Sequence, residues 1–469
     1  EGRTVAMDTG VFYVSGDLSR DETHDLLSDD EVFDDEDDAS GLHGRPSGAS
    51  RLKRRFQFLV VGTILFMLTV SFLILKPEIF ASSSASSGPV GAFGAQPNGG
   101  EEVIVNRIQL PAENGKLQGG ELDGKPVMVY KVIEELAREY SVDFGYQLRK
   151  DQSPWQIAAK WVSAREVLPE KAPELGAILN AMATSEIIAV DNGIGGTQLK
   201  LSMKLAGGQL VAFKPKWYER DYIVEGAPYA GRDRHNGEIA AFHLSRILGF
   251  RRTPLAVGRV LNLRKDIAPI ATQDLWKTFH DIDGNLCFYG KCHYCNKDNM
   301  LCADGDRLEG TVILWLPTNI KLRTERHPWR RLYRDRLLAK WEKDESYCSI
   351  VRQVDPYRNN SYILLDIIDT AVFDYLIGNA DRHHYEVIKG ADKGMLCCSI
   401  RYSTWQRLLS LQNSVLSSVL NLVMVSDPIH PVLTQLHLDA LDRRLDKVLQ
   451  EVQQCIDLNG METVIMDDR

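Results

Sequence analysis

Hydrophobic and polar positions change rhythm several times along this chain, and each change marks an element. The first is the longest apolar run, FQFLVVGTILFMLTVSFLIL at residues 56–75, which carries no charge and almost no polar stripe. That is the length of a helix crossing a bilayer, whereas a core helix keeps a polar face. Arg51, Lys53, Arg54 and Arg55 precede it and only Lys76 follows closely. The positive-inside tendency then leaves the N-terminus cytosolic and translocates the bulk of the chain. So deep a position does not suit a cleaved signal peptide.

Further on the rhythm becomes that of strands. GIGGTQLKLSMKLAGGQLVAFKPK (193–216) reads as a glycine-rich turn, a strand, a tight AGGQ turn and a second strand, which together make a hairpin. Lys214 interrupts the apolar end of the second strand, where a lysine either snorkels to solvent or reaches a buried anion. The stretch RHNGEIAAFHLSRILGF (234–250) changes to a helical period, with Ile239, Phe242, Leu244, Ile247 and Leu248 on one face and Gly249 as its stop. Glu238 falls in its first turn, where the helix dipole favours an acid. A third helix is expected over ILLDIIDTAVFDYLIG (363–378), with Leu365, Ile368, Val372 and Leu376 as its stripe and Asp366, Asp369 and Asp374 off it. Gly378 can end that helix, and Asp381 then falls in a loop beside Arg382, His383 and His384. An amphipathic helix closes the chain. A hairpin-plus-helix half followed by a helix-rich half describes an α+β domain of two lobes.

Charge redraws the outer parts of this picture. The net charge of −9 is concentrated at one end: residues 1–50 hold fourteen acids against Arg3, Arg20 and Arg45, a net of −11, so the remainder stands at +2. No global field points to nucleic acid. Residues 1–55 read as an acidic cytosolic tail, with ETHDLL (22–27) spaced like a sorting signal and Ser28 suited to an acid-directed kinase. Residues 76–125, rich in Ser, Gly and Ala, read as a flexible lumenal stem, and the globular part runs over 126–469. All eight cysteines lie in that last zone. An even count in an oxidising compartment reads as four disulfides, although the cluster CFYGKCHYCNKDNMLC also has the C-x-x-C of a zinc site. The sequon at Asn359 suits a lumenal glycoprotein.

A glycine turn, a strand lysine, a helix glutamate and a helix leading to an Asp loop follow one another in the order that kinases use, without GxGxxG, VAIK or HRD. The stretches GNADRHHYE, FKPK, RHNGEIAAFHLSRILGF, CFYGKCHYC, SPWQIAAKWV and TVILWLP resemble the atypical secretory-pathway kinases that include the Golgi casein kinase. The likeness runs from about Ser153 to the C-terminus. It implies a two-lobed, protein-kinase-like α+β fold behind a single transmembrane helix, in a type II protein of the Golgi membrane.

The resemblance also implies roles. Gln198 and Lys214 would contact ATP phosphates, Glu238 would bind nucleotide and metal, and Leu314, Trp315, Leu316 and Pro317 would lie over adenine. Asp381 would be the catalytic acid and Glu386 a further nucleotide contact, with ATP as donor carrying Mn²⁺ or Mg²⁺. The cysteines would pair as Cys287–Cys302, Cys292–Cys295, Cys348–Cys397 and Cys398–Cys455. The acceptor it implies is a xylose hydroxyl in the glycosaminoglycan–protein linkage region of proteoglycans, and the chain could dimerise with itself or a related kinase. The basic stretch RHPWRRLYRDR (326–336) either faces such an acceptor or is a solvated face.

One part of the pattern is missing. Kinases place a second, metal-binding aspartate after the catalytic loop, in this family within an LDN-x-x-x-FG-like segment. Here HHYE (383–386) passes through VIKGADKGML directly into Cys397-Cys398, with Asp392 the only acid between. Three readings follow: a xylose kinase, a lumenal protein serine kinase, or a non-catalytic pseudokinase that assists an active relative.

Overall fold

The structure, a computed structural model, describes residues 6–8, 11–13, 121–122, 125–226, 230–331, 338–344, 346–354, 357, 361–380, 382, 384–388 and 399–468. The 56–75 run lies outside them, and among the described residues no helix is long and apolar enough to cross a membrane.

The expected hairpin is the centre of a five-stranded sheet. Its strands are β1 (Ile187–Asn192), β2 (Leu201–Leu205), β3 (Leu210–Pro215), β4 (Ala256–Asn262) and β5 (Arg307–Leu314). They lie in the order β1-β2-β3-β5-β4, antiparallel throughout. Alternation fits position. β2 buries Leu201, Met203 and Leu205 and turns Lys204 out, while central β3 is buried from Val211 to Pro215. A strand covered on both faces reads as a continuous apolar run, which is why Lys214 is conspicuous there. The AGGQ turn is braced from outside by Trp155, whose indole N–H donates to the Ala206 carbonyl (2.9 Å).

Helix α1 (His235–Ile247) differs from the one-faced helix that its sequence suggests, since every residue but Gly237 is buried. It is a wall shared by two cores. Phe242 packs with the sheet and with Ile178, Leu179 and Met182. Ile239, Leu244 and Ile247 pack instead with the helical half. That half contains α2 (Ser361–Ile377), α3 (Tyr402–Ser410), α4 (Val415–Val423) and α5 (Gln435–Asn459). A short antiparallel ribbon pairs β6 (Leu322–Arg326), which precedes α2 in sequence, with β7 (His384–Ile388), which follows it. The α+β organisation expected from sequence, a strand-rich half followed by a helix-rich half, is the one observed.

Candidate functional site

Lys214 sits on β3 opposite Thr311 of β5 and is 3% exposed. A buried ammonium is tolerated only when paired and hydrogen-bonded. Its Nζ donates to Glu238 Oε1 (2.8 Å) and to Asp233 Oδ2 (3.1 Å). The strand lysine therefore meets the helix glutamate, and Glu238 is more than a dipole-capping acid. Thr311 Oγ1 donates to the His235 carbonyl (2.6 Å), so the start of α1 is fixed to the strand next to the lysine.

The glycine turn joins β1 to β2. Gly195 and Gly196 adopt φ of +66° and +73°, a backbone that only glycine takes without strain. Such turns leave amides free to approach phosphate. Gln198 follows, and its buried Oε1 has no hydrogen-bond partner among the described residues. The disulfide-bonded segment supports this turn, with Tyr294 N–H donating to the Thr197 carbonyl (3.4 Å).

Beyond β5 the chain passes through Leu314 and Trp315, both buried, to the half-buried Leu316 and Pro317. Trp315 N–H donates to the Leu210 carbonyl (3.3 Å) and Leu314 N–H to the Leu255 carbonyl (2.9 Å), so this segment is pinned at the end of the sheet.

At the end of α2, Asp374 organises the loop that follows. It accepts from Asn379 Nδ2 (3.0 Å) and from Arg382 Nη2 (2.6 Å), and its carbonyl accepts from Asn379 N–H (2.8 Å). The acids off the stripe of α2 are thus partly internal: Asp374 holds Arg382, and Asp369 accepts from Arg401 Nε and Thr404 Oγ1, both at 2.8 Å. Asp381 lies between Asn379 and Arg382 but outside the described residues. On β7, Glu386 Oε1 accepts from Thr324 Oγ1 of β6 (2.6 Å). His327, at the end of that ribbon, is buried, and its imidazole is pulled down to about 3 by burial and by Arg382 and His384. Of the basic stretch, Arg331 is turned to Glu342 (2.9 Å) and lies over the Trp341 ring, so it serves the fold.

Two disulfides, Cys287–Cys302 and Cys292–Cys295, form as expected. Sulfurs bonded to each other cannot be zinc thiolates, so the zinc alternative falls for this cluster. Cys455 is disulfide-bonded, while Cys397 and Cys398, named as partners of Cys348 and Cys455, lie outside the described residues, as does Asp392.

Sequence reasoning missed Asp233, Asp374 and Thr324. A signal existed for the first: the triplet Asp-Arg-His occurs at 233–235 and again at 381–383. Among the described residues no cluster of three or more His, Cys, Asp or Glu side chains is assembled for a metal. Asp233 and Glu238 offer two carboxylates on one lysine. That set suits a hard divalent cation that takes its remaining ligands from phosphates rather than from a protein cage.

The family model described as Golgi casein kinase, C-terminal, Fam20 matches residues 153–396 and 394–464. The two matches meet where the aspartate segment is missing from the sequence. The chain is 55% identical over 344 residues to a glycosaminoglycan xylosylkinase of Homo sapiens, covering 68% of this chain and 84% of that protein. Among solved structures it is similar to hydra Fam20 with sugar, at 41% identity and a TM-score of 0.65, over 68% of this chain and 99% of the other. It is also similar to the Golgi casein kinase with Mn/ADP bound, at 26% identity and a TM-score of 0.63, over 77% of this chain and 96% of the other. The chain belongs to the Fam20 family of Golgi casein kinase-like proteins.

Proposed function

We propose that the chain transfers the γ-phosphate of ATP to a xylose hydroxyl in the glycosaminoglycan–protein linkage region. The observation that carries this reading is Lys214 held between Glu238 and Asp233 on a kinase-like sheet, in a chain 55% identical to a glycosaminoglycan xylosylkinase.

In this reading the adenine lies against Leu314–Pro317, and the glycine turn, Gln198 and Lys214 orient the phosphates. Asp233 and Glu238 would hold Mn²⁺ or Mg²⁺, which would supply charge neutralisation at the phosphates. Thr324 keeps Glu386 turned to the nucleotide. Asp381 accepts the proton of the xylose hydroxyl as its oxygen bonds to the γ-phosphorus and the bond to the bridging oxygen breaks, leaving ADP. Loop geometry is set by Asp374 through Asn379 and Arg382. Residues 56–75 would anchor the protein in the Golgi membrane with the kinase domain lumenal.

The absence of an acidic segment between Glu386 and Cys397, other than Asp392, favours a second reading: a non-catalytic partner of an active relative. Incubating the purified protein with Mn²⁺–ATP and a galactosyl-xylose acceptor or casein separates the readings. Saccharide phosphorylation supports the first, casein phosphorylation makes it a protein kinase, and nucleotide binding without transfer supports the non-catalytic reading.

A further inference from the structure

Helix α1 is tied from a direction that neither the Lys214 pair nor the sheet requires. The segment between α4 and α5 turns into the space beside β4 and the start of α1. Asp427, itself buried, accepts from Gly258 N–H of β4 (3.1 Å) and from Ile429 N–H (3.0 Å). The approach is so close that a Cβ on Gly258 would stand 2.4 Å from Asp427 Oδ1 and from Ile429 Cγ1. Two carbonyls of this segment are then used. Val432 accepts from Asn236 Nδ2 (2.9 Å), a bond buried at both ends. Ile429 accepts from Arg220 Nη2 (2.8 Å).

Arg220 continues the connection. The same nitrogen donates to Glu309 Oε1 of β5 (2.7 Å), which also accepts from His235 Nε2 (2.7 Å). The first two residues of α1 are thus held on two sides: His235 by β5 through Glu309 and Thr311, and Asn236 by the 427–432 segment. Glu238 is one turn along the same helix, three residues from His235, where side chains share a face. Moving the start of α1 therefore strains both the buried Asn236 bond and the Lys214–Glu238 contact. Kinases lose their lysine–glutamate pair when this helix moves, and many use a separate control to set it.

We infer that the 427–432 segment is a fixed strut that holds α1 in its lysine-pairing position, with Asn236 and Arg220 as positioning residues for the Lys214–Glu238 pair. The inference rests on that pair being the one that orients nucleotide. The strut is built from backbone carbonyls and a glycine contact, so the pair is assembled in the chain as folded, without a modification to set it.

The test measures Lys214 directly. Acetylation of Lys214 by acetic anhydride, followed by peptide mass spectrometry, reports whether the amine is still buried on Glu238, and exposed Lys265 serves as the control. In Asn236→Ala, Lys214 should react roughly tenfold faster, about what one buried hydrogen bond is worth, with Lys265 unchanged. In a Glu238→Gln background the Asn236→Ala substitution should add little, because the two act through one contact. Arg220→Lys provides a milder version should Asn236→Ala fail to fold, and the same direction is expected. Affinity for Mn²⁺–ATP should fall in parallel. A Tm that drops while Lys214 reactivity stays at the wild-type rate would make these residues merely structural and overturn the inference. So would fully additive effects in the double variant. A wild-type protein that does not bind ATP would instead sink the nucleotide reading, while Lys214 reactivity would still decide the strut.

Discussion

Lys214→Met is the perturbation whose consequence the geometry specifies most fully. It keeps most of the side chain's apolar length but removes its positive charge, leaving Glu238 and Asp233, with side chains 8% and 18% exposed, facing the same small space. Removing one partner of a buried pair costs about 3–5 kcal/mol, because the other charge remains desolvated. The folded part spans roughly 340 residues, and at ~2.1 cal/mol/K per residue its unfolding entropy is about 0.7 kcal/mol/K. Tm should therefore fall by roughly 4–7 °C at about pH 8. Calorimetry or thermal circular dichroism measures it. The control is Lys447→Met, which removes a lysine paired with Glu451 on the open surface of α5. Exposed pairs contribute little, so its Tm should stay near wild type. A Lys214→Met shift no larger than that control would refute the buried-pair argument.

Three other outcomes follow from the same contacts. His327 is neutral in the fold, held down to about 3, while in the unfolded chain it titrates near 6.5. The unfolded state therefore binds the extra proton between those values, and the stability contributed at neutral pH is lost as pH falls below about 6.5, by roughly 2 kcal/mol at pH 5. Urea titrations should show this slope in the wild type and a flatter one in His327→Asn. Thr324→Val removes a donor to Glu386, and the KM for ATP should rise roughly 10–100-fold, the effect of one hydrogen bond to a charged group, with Thr324→Ser near wild type. An unchanged KM in Thr324→Val would mean that Glu386 does not depend on β6. The disulfides should differ in worth by loop length: with separations of 15 and 3 residues, loop entropy assigns about 3 kcal/mol to Cys287–Cys302 and about 1.6 kcal/mol to Cys292–Cys295. Denaturation of the two double-serine variants would reverse the argument if the order were inverted.

What could be read from the sequence was whatever is written in local period. The β2–β3 hairpin announced itself by alternation around AGGQ, and α2 by its stripe from Leu365 to Leu376. Lys214 was visible as a charge in an apolar strand, and Glu238 as an acid at a helix start. The rest depends on contacts between distant positions. α1 looked one-faced because its second core comes from residues beyond 370, nowhere near it in sequence. Asp233 was overlooked because it precedes the helix and belongs to no periodic face, yet it shares the lysine. Thr324 became meaningful only once β6 paired with β7 and placed it across from Glu386. Asp374 read as one of three acids off a stripe, and nothing local marks it as the one that holds Arg382.

On the proposed reading, Asp381 of this Fam20-family chain accepts the proton of the saccharide hydroxyl. The most direct measurement is transfer of labelled γ-phosphate from Mn²⁺–ATP to a galactosyl-xylose acceptor, with wild type and Asp381→Ala assayed side by side. Phosphate should appear on the xylose hydroxyl in the wild type, with a loss of ~10²–10⁴-fold in the variant, the usual worth of a general base. Nucleotide binding with no transfer to the saccharide, or transfer that survives Asp381→Ala, would contradict that reading.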